Sequence, residues 1–312
     1  MEPIKDFEGL AAHLKTLDRP RKVAVVCATD DHSVEAISRA LSDGFAHFIL
    51  VGPHSVPGGV MDGYKGAIES VGFDLTPDEA AAKAVEIVHD GQADVLMKGL
   101  INTDNLLRAV LNKEHGLLPK GKVLTHIALV EMPAQDKLLF FSDAAVIPSP
   151  NLEQREAIVR YMADAIRRLG GQSPRIALIN CTEKVNDKFP VTIDYMTICD
   201  MARNGEFGAD TIVDGPMDVR TACDREAAAI KGIDSPVNGN ADGLIFPEIQ
   251  SGNTFYKTIT YFAGARLAGL LMGTMAPVVL TSRGDAATAK FDSLALACLL
   301  CGDSDTTSAN LE

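Results

Sequence analysis

Pro277-Val-Val-Leu-Thr-Ser-Arg-Gly-Asp285 is the stretch that says most about the fold of this chain. Its first four residues are apolar and partly β-branched, which is typical of a buried strand. From Asp285 onward, apolar residues recur at helical spacing, so a helix is predicted directly after the strand. Ser282 and Arg283 are therefore expected at the carboxyl end of a strand, beside a helix N-terminus that favours negative charge.

Arg283 supports an anion site, because its planar guanidinium matches the geometry of phosphate. Two simpler interpretations remain open. Asp285 is also a suitable helix cap, and Arg283 is also able to pair with a surface carboxylate.

The composition limits the fold and the possible partners. The chain has 312 residues, 46% of them hydrophobic and none of them tryptophan, which favours a two-lobed α/β enzyme. Its 29 basic and 42 acidic residues give a net charge of −13. This argues against nucleic acid or an anionic membrane as a partner, because both need a basic face. Any positive charge that binds phosphate must then be concentrated on a few residues at the binding site.

The six cysteines and the termini predict a reducing, cytoplasmic setting. Cys298 and Cys301 have CxxC spacing, but they lie in an apolar segment that predicts two buried helix faces rather than a metal or redox site. No signal peptide is evident at the N-terminus. The longest apolar stretch, 267–280, is too short to span a bilayer.

Strand-like and helix-like segments alternate, which predicts a doubly wound α/β fold. The predicted strands are 23–28, 48–51, 93–97, 123–130, 138–141, 176–179, 211–213, 244–246 and 277–280, with 123–130 and 138–141 antiparallel. The predicted helices are 33–41, 77–89, 104–111, 152–169, 194–202, 219–230, 254–272 and a last one from 285. If the last strand rejoins the first lobe, one domain comprises 1–142 plus 265–312 and the other comprises 143–264.

Two further strand-to-helix junctions carry polar groups. Lys98 and Gly99 follow a predicted strand, and Thr103 is a suitable N-cap for the next helix. Either Lys98 and nearby N–H groups bind phosphate, or Lys98 is a solvated strand-end charge. Asn253 follows another strand and is either a binding residue or a cap. The chain lacks a Walker lysine motif, GxGxxG after the first strand, GxSxG and HExxH, so hydride transfer and serine hydrolysis are disfavoured.

Several motifs together resemble the phosphate acetyl/butyryltransferases in order and spacing, and they look more like the butyryl branch. They are Ser142-Asp-Ala-Ala-Val-Ile-Pro-Ser-Pro150, Asp214-Gly-Pro-Met217, Lys231-Gly-Ile-Asp-Ser-Pro-Val-Asn-Gly-Asn-Ala-Asp242, Phe246-Pro-Glu-Ile-Gln-Ser-Gly-Asn253 with Lys257, and Pro277-Val-Val-Leu-Thr-Ser-Arg283.

The resemblance implies a two-domain fold like that of isocitrate and isopropylmalate dehydrogenases, with an interdomain cleft, commonly as a homodimer. It implies reversible transfer of a butyryl or acetyl group between coenzyme A and inorganic phosphate, with acyl-CoA and acyl phosphate as substrates and no bound cofactor or metal. In the acetyl branch, the serine and arginine matching Ser282 and Arg283 contact the reacting centre and the phosphate end, respectively.

Two positions depart from the acetyl branch. That branch has an aspartate seven residues after the serine, proposed to take the thiol proton, and here Ala289 stands there. The acetyl branch also has an arginine further upstream. Leu107 stands at the aligned position in this chain, and Arg108 is the next residue. Asp285 is then the nearest carboxylate to act as the base, although it is also a suitable cap.

Two alternatives remain. A metal- and NAD(P)-dependent decarboxylating dehydrogenase of the same fold would need clustered carboxylates, for which Asp210, Asp214, Asp218 and Asp224 are available. A non-catalytic acyl-CoA or phosphate sensor is consistent with Ala289.

Overall fold

The computed structural model describes residues 2–281 and 286–302. The chain forms two compact units: an N-terminal unit, Phe7–Lys122 with Ala268–Glu312, and a central unit, Met1–Asp6 with Val123–Leu267. This grouping differs from the division expected from the sequence mainly at 123–142. These residues belong to the central unit, because the strand that ends at Ser142 pairs with a strand of that unit.

The described helices and strands alternate along the chain, so the mixed α/β fold predicted from the sequence is confirmed. In chain order they are α1 (Phe7–Leu14), β1 (Arg21–Val26), α2 (Asp31–Asp43), β2 (Ala46–Val51), α3 (Gly58–Gly63), β3 (Ile68–Val71), α4 (Pro77–His89), β4 (Val95–Lys98), α5 (Thr103–Val110), β5 (Thr125–Glu131), β6 (Leu139–Ser142), α6 (Leu152–Arg168), β7 (Arg175–Ile179), α7 (Val191–Arg203), β8 (Ile212–Met217), α8 (Val219–Cys223), α9 (Arg225–Ile230), β9 (Gly243–Ile245), α10 (Ile249–Phe262), β10 (Arg266–Met272), β11 (Val278–Val279) and α11 (Ala287–Leu300).

The N-terminal unit has the strand order β3-β2-β1-β4-β11-β10. The first five of these strands run parallel, whereas β10 is antiparallel to β11. The chain moves outward from β1 to β3 and then returns to β4 on the other side of β1. Because crossovers between parallel strands are right-handed, this reversal places α2 and α4 on opposite faces. A crevice at the carboxyl ends of β1 and β4 is where such a sheet binds ligands.

The central unit has the strand order β5-β6-β9-β7-β8. β5 and β6 are antiparallel, as their short link predicted, and the remaining pairs are parallel. Phe141 and Phe246 lie in its apolar core, where the ring of Phe141 packs edge-on against Phe255 at 5.2 Å.

Two predicted helices are wrong in part. The segment 219–230 is split into α8 and α9, because Asp224 is extended and caps α9 by accepting a hydrogen bond from the N–H of Ala227. The helix predicted to run to 272 ends at Phe262. Gly264 then takes a left-handed conformation, with φ of 62°, and β10 follows.

Local capping explains why α4 was predicted with the correct bounds. Thr76 and Glu79 form a reciprocal capping box, and Pro77 occupies the first turn. None of the helices in the described ranges is both long and apolar enough to cross a membrane.

Candidate functional site

Three strand ends meet at one edge of the N-terminal sheet, at the point where the strand order reverses. We call residues 27–30, 99–102 and 280–281, which follow β1, β4 and β11, the switch edge. These strands are parallel neighbours, with Val26 opposite Lys98 and Met97 opposite Val279. Lys98 and Gly99, both predicted from the sequence, are therefore brought to the same edge as the segment that leads to Ser282.

Ser282, Arg283 and Asp285 lie outside the described residues. Thr281, directly before them, is 6% exposed, and its hydroxyl has no hydrogen-bond partner among the described residues. A buried hydroxyl without a partner is costly, so Thr281 is of functional interest. The sequence analysis did not select Thr281, although a hydroxyl at a strand end was a usable signal.

Lys98 is a buried cation at the switch edge. Its side chain is 2% exposed, and its Nζ lies 3.5 Å from the carbonyl oxygen of Gly99. Burying an ammonium costs free energy unless it is compensated. The description of Lys98 as a solvated strand-end charge is therefore wrong.

Gly99 is a glycine because β1 leaves no room for a side chain. Its N–H donates to the carbonyl of Val26 at 2.9 Å, and the N–H of Leu100 donates to that of Cys27 at 2.8 Å. A Cβ on Gly99 would collide with both carbonyl oxygens. Cys27 itself has a φ of 51°, a conformation that non-glycine residues rarely adopt and that is common at functional sites.

Thr103 was predicted to cap α5, but Asn102 holds the N-cap position, without a side-chain capping bond, and Thr103 is the first helical residue. Thr103 still lies at the N-terminal end of α5. Arg108 lies in that last turn and is exposed. At 1.5 Å per residue, Arg108 is about 8 Å along the helix axis from Thr103.

A charged cluster that the sequence analysis missed joins the start of α2 to α11. The Nζ of Lys290 lies 3.0 Å from the Oγ of Ser33 and 3.2 Å from a carboxylate oxygen of Asp30, and Ser33 donates to the other oxygen at 2.6 Å. The side chain of Lys290 is 4% exposed. Burial would raise the pKa of Asp30, but the hydrogen bonds from Ser33 and the charge of Lys290 outweigh it and lower that pKa.

In the central unit, Asn253 makes a structural contact. Its side-chain Nδ2 donates to the carbonyl of Ala144 at 3.0 Å. A Cβ on the preceding Gly252 would collide with the carbonyl oxygen of Asp143. The carboxylate of Asp143 is buried and accepts hydrogen bonds from the hydroxyl of Thr125 at 2.7 Å and from nearby backbone N–H groups. Two of the family-like motifs therefore pack directly against each other.

The four aspartates available to a metal-dependent enzyme have other partners. Asp210 pairs with Arg167, and Asp214 accepts a hydrogen bond from Ser235 at 2.6 Å. Asp218 and Asp224 cap α8 and α9. Burial would raise the pKa of Asp218, but hydrogen bonds from Lys231 and Thr221 lower it to about 2. Among the described residues, no group of three His, Cys, Asp or Glu side chains is arranged to hold a metal ion.

The described cysteines are free. Cys298 is buried within α11, and Cys301 is buried at the C-cap of that helix. Burial raises the pKa of the Cys298 thiol well above its usual value, which makes a reactive thiolate unfavourable.

A separate pocket of about 830 Å³ lies in the central unit, at the carboxyl ends of β7, β8 and β9. Its walls include the apolar side chains of Ile179, Val191, Val219 and Phe246. Two of the family-like motifs, 142–150 and 246–253, contribute to its lining, and the rest of the lining is spread over other segments of the chain.

The comparisons with known proteins agree with one another. The family described as phosphate acetyl/butaryl transferase matches residues 61–298. A phosphate butyryltransferase from Clostridium acetobutylicum is 39% identical over 304 residues, which cover 96% of this chain and 99% of that protein. A phosphate acetyltransferase from Thermotoga maritima is 35% identical over 277 residues, which cover 88% and 94%. The crystal structure of a branched-chain phosphotransacylase from Enterococcus faecalis has a TM-score of 0.79 at 30% identity and covers 90% of this chain and 100% of that chain.

Proposed function

We propose that this chain, which belongs to the phosphate acetyl/butaryl transferase family, moves a short acyl group between coenzyme A and inorganic phosphate. It is an acyltransferase by this membership. The observation that carries the proposal is the match over 99% of a phosphate butyryltransferase. A butyryl group is the proposed acyl group and acetyl the second choice, in line with the higher identity to the butyryltransferase.

The proposed architecture is the two-domain arrangement of isocitrate and isopropylmalate dehydrogenases. We further propose a cleft between the domains as the active site and a cytoplasmic homodimer as the working form. The free cysteines support a reducing compartment.

In the proposed reaction, the thiolate of coenzyme A attacks the carbonyl carbon of the acyl phosphate. The carbon–oxygen bond to phosphate then breaks, and phosphate leaves with the bonding electron pair. No covalent enzyme intermediate is needed if both substrates are bound together. The reverse reaction starts with attack of a phosphate oxygen on the thioester.

Each predicted site residue has a proposed role. Arg283 binds the phosphate end, and Ser282 donates a hydrogen bond to the oxyanion of the tetrahedral intermediate. One such donor typically contributes about 10²–10³-fold to the rate. The buried ammonium of Lys98, with the N-terminus of α5 at Thr103, adds positive potential that favours the thiolate, whose ordinary pKa is about 8.5. Gly99 lets this segment approach β1 closely. Asn253 supports the substrate-binding segment through Ala144.

Asp285 is the proposed acceptor of the thiol proton. The aspartate that the acetyl branch has seven residues after its serine is replaced here by Ala289. If Asp285 only caps the helix, no carboxylate accepts the thiol proton, and only the nearby positive charges favour the thiolate.

The two alternatives are not favoured. The aspartates that a metal-dependent dehydrogenase would use are engaged in ion pairs, hydrogen bonds and helix caps. A non-catalytic acyl-CoA sensor has no support beyond Ala289.

A thiol-release assay tests the proposal. Acetyl-, propionyl- and butyryl-CoA are each incubated with the enzyme, with and without inorganic phosphate, and free coenzyme A is measured. We expect phosphate-dependent release, fastest with butyryl-CoA. Tight acyl-CoA binding without release would favour the sensor, and reduction of NAD(P) with a hydroxy acid would favour the dehydrogenase.

A further inference from the structure

We propose that the hydroxyl of Thr281 donates a hydrogen bond to an oxygen of inorganic phosphate, and to the phosphoryl end of the acyl phosphate in the reverse direction. The inference rests on the proposed function, because it adds a binding residue for one of its substrates. The family resemblance gives roles to Ser282 and Arg283 and none to Thr281.

The hydroxyl of Thr281 is buried without a protein partner. The residue is 6% exposed, and its Oγ1 has no hydrogen-bond partner among the described residues. An unpaired buried hydroxyl destabilises a folded protein, so nearly all such groups are satisfied by protein, water or a ligand. A ligand that brings an acceptor oxygen to Thr281 would remove this penalty.

The position of Thr281 favours a ligand as that partner. β11 runs parallel to β4, with Val279 opposite Met97. Two residues further along both strands, Thr281 and Gly99 stand at the same level, at the carboxyl ends of the strands. This part of the switch edge lies where the strand order reverses, which is where open α/β sheets bind their ligands.

The surroundings of Thr281 at the switch edge favour an anion as the ligand. Lys98, at the end of β4, carries a buried ammonium that is 2% exposed. The helix that follows, α5, has Asn102 at its N-cap, and no side chain caps its first N–H groups. An uncapped helix N-terminus favours negative charge.

Phosphate matches these groups better than the thioester does. It is negatively charged and offers several acceptor oxygens, so one oxygen is able to accept from a hydroxyl while others face the positive potential. A thioester carbonyl is neutral and offers a single oxygen.

A hydroxyl that is kept for a ligand has a distinctive effect on stability. Thr281→Val keeps the shape and removes the unpaired group, so the midpoint of urea unfolding without phosphate should stay the same or rise. Thr211→Val is the matched control. Thr211 is 5% exposed, and its hydroxyl donates to the carbonyl of Phe207 at 2.8 Å. Its loss should lower the midpoint.

Steady-state thiol release measures the role in phosphate binding. Thr281→Val should raise the KM for phosphate about tenfold, which corresponds to about 1.4 kcal/mol, and leave the KM for butyryl-CoA unchanged. Thr281→Ser keeps the hydroxyl and should restore the wild-type KM. Thr211→Val should leave both constants unchanged.

Stabilisation by inorganic phosphate tests the contact without catalysis. Phosphate is titrated into wild type and variants at constant ionic strength, with chloride as the balancing anion, and the urea midpoint is measured. Thr281→Val should need about ten times more phosphate than the wild type for the same rise in midpoint. Thr281→Ser and Thr211→Val should need the wild-type amount.

Three results would overturn the assignment. An unchanged KM for phosphate in Thr281→Val would show that the hydroxyl does not bind phosphate. A lowered kcat with an unchanged KM for phosphate would place the hydroxyl at the reacting carbonyl instead. A midpoint lowered as much as in Thr211→Val, or failure of Thr281→Val to fold, would show that the hydroxyl is structural.

This proposal and the proposed function fail in different ways. If the wild type releases no thiol from any acyl-CoA, the proposed function is wrong, and the phosphate titration still tests Thr281. If thiol release is normal and Thr281→Val keeps the wild-type KM for phosphate, the function stands and the role of Thr281 is wrong.

Discussion

At the scale of single residues, Arg283 carries the largest expected effect on catalysis. Replacing Arg283 with Ala should raise the KM for phosphate and lower kcat by about 10²–10³-fold, as loss of one charge-stabilising donor typically does. Arg283→Lys keeps the charge but loses the planar fork, so it should recover only part of the activity. Steady-state kinetics of thiol release check this. Wild-type kinetics in Arg283→Ala would remove Arg283 from the active site.

Lys290 is expected to contribute to stability through its contacts with Asp30 and Ser33. Lys290→Met keeps most of the side-chain volume and leaves Asp30 without its cation. It should lower the free energy of unfolding by about 2 kcal/mol, the usual size for hydrogen bonds to charged groups. Urea unfolding measures this. In the double variant with Asp30→Asn, the loss should be smaller than the sum of the single losses. Simple additivity would show that the contacts contribute little.

The lowered pKa of Asp30 predicts a dependence of stability on pH. Its folded-state pKa lies below the unfolded value of 3.8. The stabilisation is therefore present above that value and is lost as the pH falls through the folded pKa. Asp30→Asn should flatten the decline in unfolding free energy between about pH 5 and about pH 3. A decline as steep as that of the wild type would mean that other carboxylates cause it.

Lys98 and Gly99 were predicted from the sequence because a lysine and a glycine at a strand end are local signals. The Asp30–Ser33–Lys290 cluster was not predicted, because Ser33 and Lys290 are 257 positions apart in the chain. Only the tertiary fold brings α11 against the start of α2, so the sequence pattern of neither segment predicts the contact.

At the scale of elements, two glycines should respond differently to the same substitution. Gly99→Ala places a Cβ against two carbonyl oxygens of β1 and should cost about 3 kcal/mol or more, together with most of the activity. The Cβ added by Gly264→Ala would enter open space, so the only penalty is the left-handed φ of residue 264. This substitution should lower the free energy of unfolding by about 1–2 kcal/mol. Urea unfolding compares them. Equal losses would contradict the close approach of β4 and β1.

Elements were predictable where their signals are local. α4 has a proline in its first turn and a capping box, and both are readable in the sequence. The end of α10 was missed because 254–272 is apolar enough to look continuous. Gly264 and the pairing of β10 with β11 decide that boundary, and the helical spacing of apolar residues does not register the pairing.

At the scale of the whole molecule, the alternation of strands and helices was sufficient to predict the mixed α/β fold. The net charge of −13 makes local cations essential for any phosphate site, and the buried Lys98 fits that requirement. The pocket of the central unit was not predicted, because its lining combines residues from 149 to 251 that only the fold brings together.

Identification of the phosphorylated product tests the account most directly. Butyryl-CoA and inorganic phosphate are incubated with the enzyme, and the products are followed by ³¹P NMR and by a thiol assay. We predict butyryl phosphate in an amount equal to the coenzyme A released. Release of coenzyme A with free butyrate and no acyl phosphate would contradict the account, because the acyl group would then have been transferred to water.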